Sequence, residues 1–380
     1  MNCFLINTRA HSCLGTEPPS RIALEFHRRI VGYSETPLHN CAKLCSEIGL
    51  CNIFLKYESD RFGLPAFKIL GASWAIYNIL AGFFDLNPAS NPDFESLKKR
   101  LQALSDVRFV TATDGNHGWG VARVARWFGA KAKIFVPEGT HPTRINAIRS
   151  EGAEVIVVQG SYDETVKVAA DFSGGNKFLI QDTSWDGYEE IPGWITEGYS
   201  TMMWEIEDAL QQNPDDEYPD LVIVPVGVGS LAAAVIAHFK ATGRKKYPKI
   251  LGVEPLSADC ALQSLKADKL VTVPSESSTE MAGLNCGTPS TIAWELIRDG
   301  MDAAVAIEDQ WAELAVKKLS GQGIHTAESG ASATGALLAL NSDPSLKELQ
   351  TALNLNRNGS VLVYVTEGVT NPESYEDFIR

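Results

Sequence analysis

The sequence predicts an α/β protein built on parallel sheets, and three observations carry that reading. Short apolar, β-branched runs recur along the chain: RFVTAT, KIFVPEG, EVIVVQG, KFLIQD, LVIVPVG, KILGVEP and SVLVYVTEG. Their near-continuous apolar character suits strands covered on both faces. Each is followed by a Gly or Pro turn and then a helix-like pattern, and strands that alternate with helices build parallel sheets. Finally, 380 residues exceed one small core and suit two domains or one large α/β unit.

Composition narrows the class. With 44% hydrophobic and 21% charged residues the chain is of ordinary globular make-up, and no apolar run is long enough to cross a bilayer, so a soluble protein without a membrane partner is expected. Lys and Arg number 33 against 47 Asp and Glu, a net charge of −14. That field repels phosphate backbones and no basic cluster reverses it, which argues against nucleic acid as a partner. The opening MNCFLINTRAHSC is too short and too interrupted for a signal-peptide core. Seven cysteines, an odd number spread along the chain, do not form a secreted disulfide framework, so a cytoplasmic setting is expected.

Along the chain, Cys41 and Cys45 stand four apart with Cys51 beyond. On a helix the first two share one face, and free cysteine usually behaves as a small buried hydrophobe, so no metal site is expected. FGLPAFKILGASWA (62–75) then places Lys68 among apolar residues, with no charge nearer than Arg61 and Asp85. Such a lysine either lies along apolar surface with its ammonium in water or is an amine held for chemistry, since burial lowers its pKa and a neutral amine is a nucleophile. DLNPASNPDFES (85–96) reads as a surface loop.

TATDGNHGWG (111–120) closes a strand ahead of a helix, packing Asp114, Asn116 and His117 between glycines. It is either a turn or a loop whose amides grip a carboxylate. Val121, Val124, Ala125 and Phe128 follow at offsets 0, 3, 4 and 7, one face of a helix. Asp163 in SYDET suits a helix cap. Asp182 in QDTSWDGY follows an apolar run at a strand end, where ligands of open α/β sheets collect.

QQNPDDEYPD (211–220) is a second loop, and PVGVGSLAA (225–233) a glycine turn between the LVIV strand and LAAAVIAHF (231–239), which is apolar nearly all round and should be buried. Glycines let backbone N–H groups converge on an anion and a helix N-terminus adds favourable partial charge, so a phosphate fits there. A rival reading is a dinucleotide fold: Gly227, Gly229 and Ala232 match G-x-G-x-x-A, and Glu254 ends the next strand. The stretch 273–290 is long enough to be a lid. Met281 within it suits packing. His325 has no motif around it.

Lys68, Asp114, the Asp182 edge and the glycine turn make sense together if the lysine carries a phosphorylated aldehyde. Pyridoxal phosphate needs a Schiff-base lysine, a phosphate cradle, a partner for its ring nitrogen and a base near the substrate Cα. The NAD reading leaves Lys68 and both aspartates without work.

FGLPAFKILGASWA, TDGNHGWGVARVA, QDTSWDGYEEIPGWITEGY, VGVGSLA, GVEPLSADC, MAGLNCG, AESGASATGALLAL and VTEGVTNPESY resemble, in order and spacing, the diaminopropionate ammonia-lyases, a family of the tryptophan-synthase-β-like group of pyridoxal phosphate enzymes. The resemblance runs from FHRRIVGY near residue 26 to the C-terminus. It implies fold type II, with two open, twisted, mostly parallel sheets flanked by helices. Residues 1–74 and 190–380 would form a larger cofactor-binding domain and 75–189 a smaller inserted one, with the cofactor in the cleft between them.

Residue by residue, the resemblance implies that Lys68 forms the Schiff base. Asn116 would bond the pyridine 3′-oxygen, and Gly227, Val228, Gly229, Ser230 and Leu231 would hold the phosphate. Thr366 would face the ring nitrogen. Asp114 and Asp182 would serve as bases on opposite faces of Cα, so that both enantiomers of 2,3-diaminopropionate give pyruvate and two ammonia. A homodimer is implied as well. Trp119, large after GNHG, would narrow the substrate end, and Ala233 stands where a further glycine would loosen the phosphate turn. Cys260 and Cys286 fall in segments near the site entrance, where they could pair under oxidation. A serine or threonine dehydratase, a biosynthetic β-eliminase, an NAD-dependent reductase and a catalytically silent binding protein are the alternative readings. Both aspartates favour the lyase, because dehydratases of this group usually lack an acid at the position of Asp114.

Overall fold

Among the described residues eleven strands follow in chain order: β1 (Cys3–Ile6), β2 (Leu38–Asn40), β3 (Asn52–Tyr57), β4 (Arg108–Ala112), β5 (Lys131–Pro137), β6 (Glu154–Val158), β7 (Lys177–Leu179), β8 (Leu221–Pro225), β9 (Lys249–Pro255), β10 (Ala303–Ile307) and β11 (Ser360–Val365). The computed structural model describes residues 2–88, 93–104, 106–212, 218–274, 279–356 and 358–379. All seven runs read as strands in the sequence form strands. β1, β2, β3 and β10 come in addition.

The chain divides into two compact units, Met1–Ser20 with Glu35–Asp60 and Met202–Arg380, and Arg21–Ser34 with Arg61–Thr201. The first holds a seven-stranded sheet in the order β1-β10-β9-β8-β11-β3-β2. Its inner pairs are parallel, and β1 and β2 pair antiparallel at the two edges. Alternate residues, among them Ile53, Leu55, Leu251, Val253, Val305, Val361 and Val363, share one core with Ala331 and Leu337 of the Glu328–Ser342 helix. That is the period-2 face of a pleated strand. The helix Ser230–Phe239 is buried along its length, as its all-round apolar sequence requires.

The second unit holds a four-stranded, all-parallel sheet in the order β6-β5-β4-β7. Val110, Ala112, Phe135 and Leu179 pack on Val166 and Ala169 of the Tyr162–Phe172 helix. In the Asn116–Phe128 helix, Val121, Val124, Ala125 and Phe128 are all buried, the face expected from their spacing. A Cβ on Gly118 would lie 2.8 Å from Ile134 Cγ2, so this helix rides close on β5.

These units part from the boundaries expected at 74/75 and 189/190. The Lys68–Phe83 helix and the start of the Glu190–Gln212 helix belong to the four-stranded unit. Glycines explain why. A Cβ on Gly71 would stand 2.6 Å from Ile195 Cγ2, one on Gly198 2.6 Å from the Leu70 carbonyl oxygen, and one on Gly120 3.1 Å from Ile69 Cα. The three helices thus meet almost backbone to backbone, tighter than any sequence with Cβ atoms at these positions allows.

Smaller expectations also change. Ser161, not Asp163, caps the Tyr162–Phe172 helix, through a capping box with Glu164. The loop at 85–96 ends at Asp93, whose side chain caps the Phe94–Gln102 helix. Residues 89–92, 213–217 and 275–278 of the three expected loops lie outside the described residues. Cys41 and Cys45 are buried free thiols, and burial pushes Cys41 up to about 11. Met281 is fully buried in the core. No helix among the described residues is long and apolar enough to cross a membrane.

Candidate active site

Lys68 is the first residue of its helix. The turn before it is tight: Arg61 and Leu64 exchange both backbone hydrogen bonds, and Phe62 and Gly63 between them have φ of 57° and 72°. A non-glycine residue in that left-handed region needs external support. Arg123 supplies it, donating to the Phe62 carbonyl at 2.7 Å while its Nε and Nη2 grip Glu151 at 2.8 and 2.7 Å. Trp119 donates its indole N–H to the same Glu151 at 3.2 Å.

The Lys68 ammonium donates to Asp182 Oδ2 at 2.6 Å, with 23% of the lysine side chain and 4% of the aspartate exposed. It also lies 5.6 and 6.0 Å from the ring centroids of Phe67 and Tyr199. Burial works to lower the lysine, as does the positive end of its own helix. The Asp182 carboxylate more than offsets this and holds Lys68 above the ordinary lysine value. Asp182 shows the reciprocal effect: burial raises it, but the Lys68 ammonium outweighs that and pushes it down to about 2. Burial in turn pushes the Tyr199 hydroxyl up, and at neutral pH it stays protonated.

His117 sits in the first turn of the Asn116–Phe128 helix rather than in a loop. Its Nε2 lies 2.7 Å from the Ile180 carbonyl, which can only accept, so that nitrogen carries the proton. Burial, the largest effect, lowers the ring, so it is neutral and Nδ1 faces Asp182 Oδ2 from 4.0 Å with a lone pair. Asp114 is half-buried at the end of β4, near enough for its charge to act on both Lys68 and His117, and its backbone carbonyl accepts from Arg144 at 3.4 Å. Asn116 is the first residue of the helix and half-buried. Lys68, Asp114, Asn116 and Asp182 therefore all belong to the four-stranded unit, gathered at the carboxyl ends of β4 and β7.

The glycine turn belongs to the seven-stranded unit, between β8 and the Ser230–Phe239 helix. Gly229 caps that helix with φ 96°, a conformation that favours glycine. The helical ladder begins with Ala233 N–H to Gly229 O at 2.8 Å, so the amides ahead of it stand outside the ladder, as an anion cradle requires. Ala233 is thus inside the helix and does not stiffen the turn. A Cβ on Gly227 would come within 3.2 Å of Cys286 Sγ, and one on Gly229 within 2.7 Å of Ile297 Cδ1. Val228, Ser230 and Leu231 are buried in the same turn, and Thr366 is buried just beyond β11. Cys260, whose thiol lies 3.8 Å from the Gly227 carbonyl, and Cys286 border this turn and are not joined in a disulfide.

Glu254 removes the rival reading of the turn. It is fully buried and accepts from the backbone N–H groups of Ala261 and Leu262 at 2.8 Å each, so both oxygens cap the Cys260–Ala267 helix and neither is available to a ribose. Burial pushes this carboxyl up to about 8 against the pull of those two donors. Among the described residues, no group of three or more His, Cys, Asp or Glu side chains could hold a metal ion. His325 pairs with Tyr375 at an exposed position.

Sequence reasoning missed Gln181, Tyr162, Tyr199 and the packing of His117 on Asp182. Position beside Asp182 was the one signal for Gln181. Each unit taken by itself carries groups that suit part of pyridoxal phosphate: in the four-stranded unit an amine held against a carboxylate at the strand ends, in the seven-stranded unit a glycine turn at a helix N-terminus and a buried hydroxyl after β11. The two mostly parallel sheets are those of the fold type II pyridoxal phosphate enzymes. The family model for pyridoxal-phosphate-dependent enzymes matches residues 31–356. The diaminopropionate ammonia-lyase of Salmonella typhimurium is 38% identical over 94% of this chain and 90% of its own length. The Escherichia coli enzyme of the same name, solved in complex with D-serine, superposes with a TM-score of 0.91 at 33% identity, covering 100% of this chain and 97% of its own. Its complex with an aminoacrylate–pyridoxal phosphate azomethine reaction intermediate gives 0.89 at 32% identity, covering 100% and 97%. The chain belongs to the pyridoxal-phosphate-dependent enzymes, in the family of the diaminopropionate ammonia-lyases.

Proposed function

We propose that this enzyme converts 2,3-diaminopropionate, in either enantiomeric form, and water into pyruvate and two molecules of ammonia. The observation that carries the reading is the Lys68 amine 2.6 Å from Asp182, with Asp114 on the same sheet edge. Pyridoxal phosphate, when bound, supplies the electron sink that makes an α-hydrogen acidic. The remaining work falls to the chain. Lys68 anchors the cofactor through Nζ, the amides of Gly227 to Leu231 bind its phosphate, and Asn116 and Thr366 orient its ring. Asp182 takes the α-hydrogen of the L-isomer and Asp114 that of the D-isomer. A carboxylate within hydrogen-bond reach does this in the usual manner of a general base. The amine at Cβ leaves with a proton delivered by the Lys68 nitrogen, and water releases the second nitrogen as ammonia. An odd number of cysteines spread along the chain supports a cytoplasmic setting, and the family resemblance supports a homodimer.

The test has two arms. The purified protein should be yellow, lose its colour on borohydride treatment, and Lys68→Ala should be colourless. Pyruvate release from D- and L-diaminopropionate should exceed that from D- and L-serine and L-threonine. Faster turnover of serine or threonine would make the chain a dehydratase instead.

A further inference from the structure

Gln181 precedes Asp182 in sequence, is fully buried, and is held from every side. Its backbone N–H donates to the Tyr188 hydroxyl at 3.0 Å. Its Oε1 accepts from the Ala112 N–H at 2.9 Å and from the Thr111 hydroxyl at 3.0 Å. The Ala112 N–H can only donate, so this end of the amide must be the oxygen and its orientation follows from chemistry. The opposite end is therefore NH2. One hydrogen goes to the Tyr162 hydroxyl at 2.9 Å and the other to Asp182 Oδ1 at 3.3 Å. Having accepted from Gln181, the Tyr162 hydroxyl turns its own hydrogen toward the same Oδ1, at a long 3.5 Å.

The two oxygens of Asp182 thus differ. Oδ1 is occupied by Gln181, itself fixed to β4, and by Tyr162 at the head of its helix, whereas Oδ2 faces groups whose protonation can change, the Lys68 amine at 2.6 Å and the neutral His117 ring at 4.0 Å. We propose that Gln181, with Tyr162 behind it, is a positioning residue that holds Asp182 by Oδ1 and so commits Oδ2 to receive the α-hydrogen of one substrate enantiomer. The proposal rests on Asp182 being the base for the L-isomer. A carboxylate free to spin about its last bond would present either oxygen and would lose part of its orientation in the transition state. Among the described residues no side chain holds an Asp114 carboxylate oxygen in this way, so the effect is confined to one enantiomer.

Gln181→Glu tests this with least disturbance, because one carboxylate oxygen can still accept from Ala112 and Thr111 while the other replaces a donor with an acceptor beside Oδ1. The kcat for L-diaminopropionate should fall by about tenfold to a hundredfold, the worth of one charge-assisted hydrogen bond. Turnover of the D-isomer should stay within about threefold. The acid limb of the L-isomer kcat/KM profile should move up by about one pH unit or more, since a like charge disfavours the ionised base. The carboxyl midpoint of Asp182, followed by 13C NMR in the full chain and assigned with Asp182→Asn, should rise with it. Tyr162→Phe should reproduce the L-selective loss in weaker form, and carries the test if Gln181→Glu does not fold. A parallel loss on both enantiomers with the Asp182 midpoint unmoved overturns the proposal. If Asp182→Asn itself spares the L-isomer, the reading of Asp182 as base fails and the proposal with it. If Asp182→Asn abolishes L-turnover while both other variants leave it intact, the positioning role alone is refuted.

Discussion

Gly198→Ala is the sharpest probe of how the Lys68 helix is held. A Cβ there would lie 2.6 Å from the Leu70 carbonyl oxygen, 2.9 Å from Gly71 Cα and 3.1 Å from the Leu70 carbonyl carbon. All three are main-chain atoms, so no rotamer change relieves the contact. A carbon packs against a carbonyl oxygen at about 3.3 Å, and the two helices must therefore part by about 0.7 Å. Overpacking of this kind costs about 1–3 kcal/mol, and a rigid partner puts it at the top of that range. Replacing glycine by alanine within a helix returns about 1 kcal/mol, which leaves a net loss of about 2 kcal/mol. Because Lys68 stands two residues from Leu70, the displacement reaches the amine, and a misplacement near 1 Å lowers turnover by about tenfold to a hundredfold. Gly193→Ala is the control: it lies on the same helix, and a Cβ there meets nothing within 4 Å. That variant should keep its rate and gain about 0.5–1 kcal/mol. Urea unfolding midpoints and kcat/KM for both diaminopropionate isomers measure the pair. A Gly198→Ala enzyme equal to Gly193→Ala in both would refute the close-contact account.

Two further predictions follow from the seven-stranded unit. Gly229→Ala forces a side chain into φ 96° and sets a Cβ 2.7 Å from Ile297 Cδ1, so pyridoxal phosphate retention should weaken by tenfold or more, read by fluorescence titration of the cofactor-stripped chain. Glu254, pushed up to about 8 when folded, holds a proton that the unfolded chain gives up near pH 4.5. Its contribution to stability is complete below the unfolded value and declines as pH rises toward the folded one. Over pH 5 to 8 the urea midpoint of the parent should therefore fall relative to that of Glu254→Gln, and parallel curves would contradict the assignment.

Much of the fold could be read directly, and the omissions have physical causes. β10 is AAVAI, whose alanines carry little strand preference, and burial between β1 and β9 decides its state. β3 was hidden by Lys56, which interrupts an apolar run yet is fully buried, donating to Glu205 at 2.6 Å and to the Thr36 carbonyl at 2.8 Å. Lys68 and Asp182 stood out because a lone charge in apolar sequence and an acid at a strand end are unusual in themselves. Gln181 did not, since a glutamine acquires its role only from where β4 puts the Ala112 N–H. The same holds for Gly71, Gly120 and Gly198, which in sequence are ordinary helix breakers and in space are the points where three helices touch.

The pairing of Lys68 with Asp182 bears on how one carboxylate could serve as a base at all. Pushed down to about 2, Asp182 in its ion pair is a weak proton acceptor, and general bases work best with a pKa near the operating pH. The largest effect acting on it, burial, runs the other way and is overcome chiefly by the charge of Lys68. On the proposed reading, whenever the Lys68 nitrogen beside Oδ2 is a neutral amine rather than an ammonium, burial is no longer opposed and lifts the carboxyl toward useful basicity, with Gln181 still at Oδ1. A hydrogen taken by Asp182 can then pass to that same amine 2.6 Å away, which becomes the acid that protonates the leaving nitrogen.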